Sequence, residues 1–376
     1  MQLTMDRETL LRGVGRTLGV VDRRGAMAIL SHFLLQAEEG QVTIAATDLE
    51  VSFRGSYPAE VAEPGALTLP AHYFHNLVKE LPGETLSLAA GEGAKLKLQV
   101  GESHYQLIGL PADQFPPIPE VSEETLVTLE SRQLKEMIER TIFSVSGDEL
   151  QYHLSGIFWE RLELEGVPFL RLVSTDGHRL TLMERPLPES ESFDIGEGIL
   201  IPRKGVAEIS RLLAEEERVA LGVTKKSLAL RADHKHLFIR LLEKKFPDYK
   251  RIVPDSFVYQ FVVNRQEFYN TLRRISLLST ERFRGVIMNL SADNLEAHFS
   301  NPEVGEGREL ITLTLTQGDP AGLPISVGFN ARYFLEPLAA MSADEVVLEL
   351  NDRDRPCRLR EREDEHYFAI IMPMSL

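Results

Sequence analysis

The tract Ser174-Thr175-Asp176-Gly177-His178-Arg179-Leu180 sets a carboxylate, an imidazole and two hydroxyls within a few positions. That grouping invites a catalytic reading with His178 as general base. The neighbouring chain, however, offers no nucleophile elbow, no HExxH metal pair and no phosphate-binding loop, and Asp176 and His178 are too close in sequence to imply a triad. Asp-Gly is a tight-turn signal, and Gly177 can take a positive φ. A turn that shapes a binding surface is therefore the favoured reading, and a hydrolase built on Asp176 and His178 is its enzymatic rival.

The second source of chemistry is cationic. Met5 to Arg24 carries five arginines (7, 12, 16, 23, 24) against Asp6, Glu8 and Asp22, a balance of +2. Ile201 to Leu213 carries Arg203, Lys204 and Arg211 against Glu208, again +2. Asn264 to Arg284 carries Arg265, Arg273, Arg274, Arg282 and Arg284 against Glu267 and Glu281, +3. These tracts hold +7 in a chain whose total is −16, so the remainder carries −23. If the tracts share one surface, an acidic protein presents a basic one to phosphates, without the clustered aromatics of a single-strand platform. The plainer alternative is that they are solvated faces of amphipathic helices.

These residues sit on a pattern that occurs three times. Leu200-Ile201-Pro202-Arg203-Lys204-Gly205-Val206 opens a short amphipathic helix, two alternating strand patterns follow, and Phe246-Pro247-Asp248 closes the unit. An earlier copy opens at Thr68-Leu69-Pro70-Ala71-His72-Tyr73-Phe74 and closes at Phe115-Pro116; a later one opens at Gly328-Phe329-Asn330-Ala331-Arg332-Tyr333-Phe334 and closes at Met372-Pro373. The openings lie 132 and 128 positions apart and the closings 131 and 126, which argues for triplication of one unit. The Thr175 turn recurs 128 positions earlier as Ala46-Thr47-Asp48-Leu49-Glu50.

Each unit reads as helix, strands, helix, strands. Asp6 caps a helix with Leu10, Leu11 and Val14 at helical spacing, and Gly13, Gly15 and Gly19 weaken or shorten it. Strands are expected at Ala28 to Leu30, Phe33 to Leu35, Val42 to Ala46 and Leu49 to Phe53, then a helix from Ala71 to Leu81 and strands around Leu86, Lys95 and Tyr105. Pro111 to Pro119, with four prolines in nine residues, reads as an extended linker. Asn264 and Glu267 have capping-box spacing ahead of a helix bearing Phe268, Leu272, Ile275 and Leu278. Hairpin-length links make the sheets antiparallel and the class α+β, with two helices on one face of each unit.

Composition sets outer bounds. At 376 residues the chain exceeds one ordinary core, and the repeat selects three domains, 1–122, 123–254 and 255–376. There is no apolar run of membrane-spanning length, and Met1 to Asp6 lacks the regions of a signal peptide. The single cysteine, Cys357, forms neither an internal disulfide nor a cysteine metal site, so a reducing cytoplasm is the simplest home. No cofactor and no metal are implied.

Five segments together carry a family resemblance. Thr175-Asp176-Gly177-His178-Arg179-Leu180, Ile201-Pro202-Arg203-Lys204-Gly205, Phe246-Pro247-Asp248-Tyr249, Phe283-Arg284-Gly285-Val286 and Ile370-Ile371-Met372-Pro373-Met374 resemble the bacterial DNA polymerase III β subunit, the sliding clamp, and the match runs in order from Leu10 to Leu376. The resemblance implies three similar clamp domains, each with antiparallel sheets outside and two α-helices inside, and a head-to-tail homodimer that forms a six-domain ring around double-stranded DNA. It implies a processivity factor without catalysis, partnered by the polymerase α subunit and other polymerases and placed on DNA by a separate clamp loader ATPase. It also answers the charge problem, since basic helices would face the hole and surplus acid the outside. An inner helix of about 12 residues rises about 18 Å beside roughly ten duplex charges. Two chains would bring 14 excess positive charges, the +7 of each, and hold DNA loosely enough to slide.

Position by position, the resemblance implies a peptide pocket walled by Leu154, Thr175, Gly177, His178, Arg179, Leu180, Pro247, Ile252, Ile370 and Met372, with Asn330, Tyr333 and Met374 nearby. In that pocket His178 and Arg179 would orient a peptide's polar groups. DNA contacts fall on Arg24, Tyr152, His153, Arg203 and Lys204. Two residues depart from the family pattern there: Asp148 stands where an amide is usual and His153 where an aromatic hydroxyl is usual. Ring closure falls on Tyr105 and Leu107 of one protomer against Leu277 and Leu278 of the other. A peptide-binding scaffold that never encircles DNA is the alternative function.

Overall fold

A computed structural model of the chain describes residues 1–119, 126–148, 150–188, 193–280 and 285–374. Glu281, Arg282, Phe283 and Arg284 of the third basic tract, the end of the family match at Leu376 and the boundary at 122/123 lie outside the described residues.

The first repeat runs β1 (Gln2–Asp6), α1 (Arg7–Thr17), β2 (His32–Glu38), β3 (Gln41–Thr47), β4 (Val51–Pro58), β5 (Glu60–Glu63), β6 (Gly65–Pro70), α2 (Ala71–Glu80), β7 (Thr85–Ala90), β8 (Lys95–Val100) and β9 (Ser103–Ile108). The second runs β10 (Val127–Glu130), α3 (Ser131–Glu139), β11 (Gly156–Leu164), β12 (Val167–Thr175), β13 (Arg179–Pro186), β14 (Ile199–Pro202), α4 (Arg203–Leu213), β15 (Arg218–Val223), β16 (Ser227–Ala232) and β17 (Lys235–Arg240). The third runs β18 (Tyr259–Asn264), α5 (Arg265–Ser276), β19 (Gly285–Leu290), β20 (Asn294–Asn301), β21 (Gly305–Gln317), β22 (Ile325–Asn330), α6 (Arg332–Ala340), β23 (Glu345–Leu350), β24 (Cys357–Glu361) and β25 (Tyr367–Ile371). The order of elements is the same three times over, apart from the extra short β5. All strand pairs are antiparallel, and the class is α+β.

Local chemistry explains most boundaries. Asp6 caps α1 by accepting the Thr9 amide at 2.7 Å, and Asn264 caps α5 by accepting the Glu267 amide at 2.9 Å. Along β8, Leu96 and Leu98 are buried while Lys95 and Lys97 are not. Two expectations need correction. Ala28–Ser31 is a 3-10 turn, not a strand: Ser31 Oγ donates to the Ala28 carbonyl at 2.7 Å and the turn buries Ile29 and Leu30. A three-residue apolar run looks the same to periodicity in either state. Nor does Gly13 end α1. A Cβ there would lie 2.7 Å from Ile44 and 2.9 Å from Tyr57, so the glycine lets the helix press onto the sheet.

The described residues fall into two compact units. One holds Met1–Arg132, Lys204–Leu241 and a short piece at Asp194; the other holds Gln133–Ser190, Ile195–Arg203 and Leu242–Leu376. The second repeat is divided because its strands join different sheets. Its β17 pairs with β4, giving an eight-stranded sheet in the order β10-β15-β16-β17-β4-β3-β2-β6. Its β13 pairs with β25, giving a twelve-stranded sheet, β14-β11-β12-β13-β25-β24-β23-β18-β21-β20-β19-β22. A five-stranded sheet, β5-β1-β7-β8-β9, completes the first unit. Within the first unit α1 packs on α2 and on β3 and β4; within the second α5 packs on α6, β20 and β21.

The first residue of the leading helix does the same work in two repeats. Arg7 Nε donates to the Gly83 carbonyl at 3.0 Å and its Nη1 to Val78 and Lys79, closing the C-terminus of α2. Arg265 Nε donates to Ala343 O at 2.7 Å and its Nη1 to Leu338 O at 3.0 Å, closing α6. A guanidinium satisfies orphan carbonyls and faces the negative end of the helix dipole. From the other side, Glu361 accepts the Ser342 and Ala343 amides and pairs with Arg140 Nη1 at 3.2 Å. Burial alone would raise the Glu361 pKa, but those two amides and Arg140 outweigh it and hold it below the usual range. Among the described residues, no helix is long and apolar enough to cross a membrane.

Two outcomes follow from the α6 grip. Arg265→Ala removes two charge-assisted bonds and is expected to cost about 1.5–3 kcal/mol in urea unfolding, whereas Arg273→Ala on the exposed face of the same helix stays within about 0.5 kcal/mol. Because the Glu361 pKa is depressed on folding, its contribution is full above the unfolded value of about 4.3 and fades as pH falls through the folded one. Glu361→Gln should therefore flatten the acid limb of the stability profile and leave a smaller pH-independent loss.

Candidate functional site

The Thr175 tract is a turn between β12 and β13 whose polar groups are consumed internally. Asp176 Oδ1 accepts the amides of His178 and Arg179, each at 3.0 Å, and Thr175 Oγ1 donates to the Arg179 carbonyl at 2.6 Å while accepting the Gly177 amide at 3.1 Å. Gly177 has φ +86, as its sequence predicts, and a Cβ there would meet nothing, so conformation and not space demands glycine. Asp176 is thus a turn-former, and the hydrolase reading has no geometry in its favour.

Three expected pocket residues, Leu154, Leu180 and Ile370, pack in one apolar cluster with Val173, Leu182, Leu200, Phe246 and Tyr249. β13 brings Leu180 opposite Ile370 on β25, and the Met372 amide donates to the His178 carbonyl at 3.0 Å, so the ladder itself puts Met372 beside the turn. These cluster members are closed to solvent. Pro247 accepts the Tyr249 amide at 2.8 Å in the loop that carries Ile252, and Met374 donates to Gly328 O at 2.8 Å. Ile252 and Met374 are each 39% exposed, so both offer apolar surface beside the cluster. Asn330 caps the start of α6 by accepting the Arg332 amide at 3.1 Å, and Tyr333 stacks parallel to His178 at 6.4 Å between ring centroids. Sequence reasoning missed Val173, Leu182, Leu200, Phe246 and Tyr249. The signal for the first two was the alternation of β12 and β13.

Beside this cluster lies a charged network. Tyr249 Oη donates to Glu160 and accepts Arg171 Nη1 at 3.0 Å; Arg171 Nε reaches Glu184 at 2.6 Å, and Glu184 meets His366 at 2.9 Å. Burial pushes the Tyr249 hydroxyl well above its usual pKa, so it stays protonated and able to donate to Glu160.

The expected DNA contacts divide by role. Arg24, Tyr152, His153 and Arg203 are exposed, with Arg24 set in a loop ordered by Asp22, whose Oδ1 accepts the Arg24 amide at 2.9 Å. Lys204 differs: its ammonium donates to Val20 O at 2.8 Å and ion-pairs with Asp48, the turn residue of the first repeat. Asp148, the acidic departure, accepts the Leu150 amide at 2.9 Å and orders its own loop. Several counted cations are likewise internal. Arg7 and Arg265 close helices, Arg16 pairs with Glu215 at 3.2 Å, Arg211 with Glu208 at 2.8 Å, and Arg274 with Glu309. The free basic surface is therefore smaller than residue counting implies.

The expected dimer residues sit at open strand edges. Tyr105 (39% exposed) and Leu107 lie on β9, the last strand of its sheet; Leu277 (78%) and Leu278 follow α5, and a Cβ at Gly307 of β21 would lie 2.9 Å from Leu278 Cδ1. Among the described residues β21 pairs with β18 only from Leu313 onward, leaving Gly305–Thr312 unpaired on that side.

Comparison with known proteins gives one consistent answer. The N-terminal, central and C-terminal domain profiles of the DNA polymerase III beta subunit match residues 1–119, 128–248 and 250–375. The chain is 33% identical over 380 residues to the beta sliding clamp of Pseudomonas putida and 31% over 383 residues to that of Escherichia coli K12, with 100% of each chain covered. Among solved structures, the Bartonella birtlesii sliding clamp bound to griselimycin superposes with a TM-score of 0.94 at 31% identity, and the Pseudomonas aeruginosa clamp bound to griselimycin with 0.91 at 30%; both pairs are covered in full.

Exchanging Lys204 and Arg24 for alanine should separate their roles. Lys204→Ala is expected to lower the melting temperature, having lost an ion pair and a carbonyl contact, while Arg24→Ala leaves melting unchanged and reduces the salt dependence of DNA binding by about one unit of log–log slope.

Proposed function

Since this chain belongs to the DNA polymerase III beta subunit family, the bacterial sliding clamps, we propose that two copies close into a six-domain ring around duplex DNA and tether polymerases to it. It is a non-catalytic processivity factor of DNA replication. Three domains, 1–122, 123–254 and 255–376, form each half, and the ring works in the cytoplasm.

The observation that carries this reading is the pair of open strand edges. β17 and β25 are the final strands of the second and third repeats, and each finds its partner on β4 or β13, the third long strand of the preceding repeat. Among the described residues β9, the corresponding final strand of the first repeat, has no such partner, and β21, the corresponding third strand, pairs with β18 only from Leu313 onward. Carrying the β17–β4 register over by the repeat sets Ser103 against Glu309, Tyr105 against Gly307 and Leu107 against Gly305 of a second copy. Tyr105 then meets Leu278, and the contact, applied twice, closes a dimer in which β9 is no longer a terminal strand.

Processivity comes from topology. A closed ring cannot leave DNA sideways, so its contacts need only be weak, and the modest free basic surface of Arg24, Arg203 and their neighbours suits a sequence-independent hold on phosphates. Opening the ring is the task of a separate clamp loader ATPase. The floor of Leu154, Leu180 and Ile370, with Pro247, Ile252, Met372 and Met374 about it and His178 at its rim, supports the docking of a short apolar peptide from the polymerase α subunit, other polymerases or repair factors. Griselimycin, which two relatives bind, is expected to bind this chain at the same pocket.

Solution mass and topology test the ring together. A species of twice 42.4 kDa is expected, loaded material should stay on nicked circular DNA and run off after linearisation, and Tyr105→Arg should give monomer. Retention that ignores linearisation would favour a scaffold beside DNA, and a monomer at micromolar concentration would refute the ring.

A further inference from the structure

Arg179 stands in the pocket wall by family resemblance, but its guanidinium faces inward. Only 7% of the residue is exposed. Nε pairs with Asp176 Oδ2 at 3.0 Å within the turn, Nη2 donates to the Phe143 carbonyl at 2.6 Å in the segment after α3, and Nη1 pairs with Glu336 on α6. The guanidinium also lies 4.9 Å from the Tyr333 ring of α6 and 5.6 Å from that of Phe143. All three nitrogens are engaged, each on a different element, in a planar arrangement that a lysine could not reproduce. Little is left for a ligand.

We infer that Arg179 is a positioning residue, a strut that locks the pocket turn to α6 and so makes griselimycin or peptide binding depend on Glu336, whose carboxylate is held by Arg179 and Arg332. Glu336 also lines a cavity of about 540 Å³ with Glu136, Glu139 and Arg140. Its second partner, Arg332, lies one helical turn away at 3.3 Å. The turn that Arg179 braces carries His178, whose ring stacks on Tyr333 and whose carbonyl holds the Met372 amide. A ligand that seats on His178 and Met372 therefore binds best when the turn sits where α6 holds it. By linkage, occupancy must steady α6 in return.

The inference rests on the peptide-pocket reading, and one experiment separates the two. Griselimycin binding to the full-length dimer is measured calorimetrically for the wild type, Glu336→Gln, Arg332→Ala and Met372→Lys, together with hydrogen exchange of the amides of residues 332–340. Met372→Lys should abolish binding, which secures the pocket. Glu336→Gln should weaken binding about 5–10-fold with dimer mass and melting retained, while Arg332→Ala stays within about twofold. In the wild type griselimycin should slow exchange along α6, and Glu336→Gln should lose that slowing, a readout that simple loss of stability does not produce. Wild-type affinity and α6 protection in Glu336→Gln, beside a dead Met372→Lys, would overturn the strut and leave the pocket standing. Unchanged binding in Met372→Lys would overturn both.

Discussion

A β-strand at the edge of a sheet leaves a row of backbone amides and carbonyls without partners, and this chain answers that demand in the second and third repeats by passing the last strand to the repeat before. β17 goes to β4 and β25 to β13, through five-residue antiparallel registers. The result is sheets of eight and twelve strands in place of three separate sandwiches. Compact units therefore cut across the repeat, because within each unit hydrogen-bonded ladders join strands from different repeats. Among the described residues the same demand is unmet on the outer side of β9, and Gly305–Thr312 pairs with β20 but not with β18.

Charge has two separate roles here that composition merges. Arg7 and Arg265 neutralise the carbonyl ends of second-position helices, Arg140 and Arg179 bridge elements from buried positions, and Lys204 holds the first repeat's Asp48 turn. The second repeat lacks the device: Ser131 occupies the place of Arg7 and Arg265, and its buried hydroxyl has no hydrogen-bond partner among the described residues. Among the described residues of the basic tracts, Arg24 and Arg203 stay exposed. For a ring that must slide this is an advantage, since each added phosphate contact steepens affinity and salt dependence together.

The pocket shows a comparable division of labour. Its floor is a sheet face, rigid because Leu180 and Ile370 are ladder partners. Its flanks are Ile252 and Met374, which stay partly exposed among the described residues. Tyr249 belongs to both the floor and the Glu160–Arg171–Glu184 network, so polar groups fix the ring whose face is apolar. A Met- and Leu-lined surface of this kind suits several related peptides better than one.

The sequence by itself determined the triplication, the α+β class, the helix caps at Asp6 and Asn264 and the turn at Gly177, because each is written in local spacing: repeat period, hydrophobic alternation, a side-chain oxygen three residues from an amide. Its resemblance to the clamp family named pocket residues of which Leu154, Leu180 and Ile370 share one cluster. Only tertiary structure decided which cations are free and which are internal, because an arginine's partner is a carbonyl or carboxylate tens of residues away, as Arg7 with Gly83 and Arg179 with Glu336. It alone decided that Ala28–Ser31 turns, that Arg179 faces α6, and that sheets run from repeat to repeat, since register between distant strands is set by the mutual burial of faces and not by either strand alone.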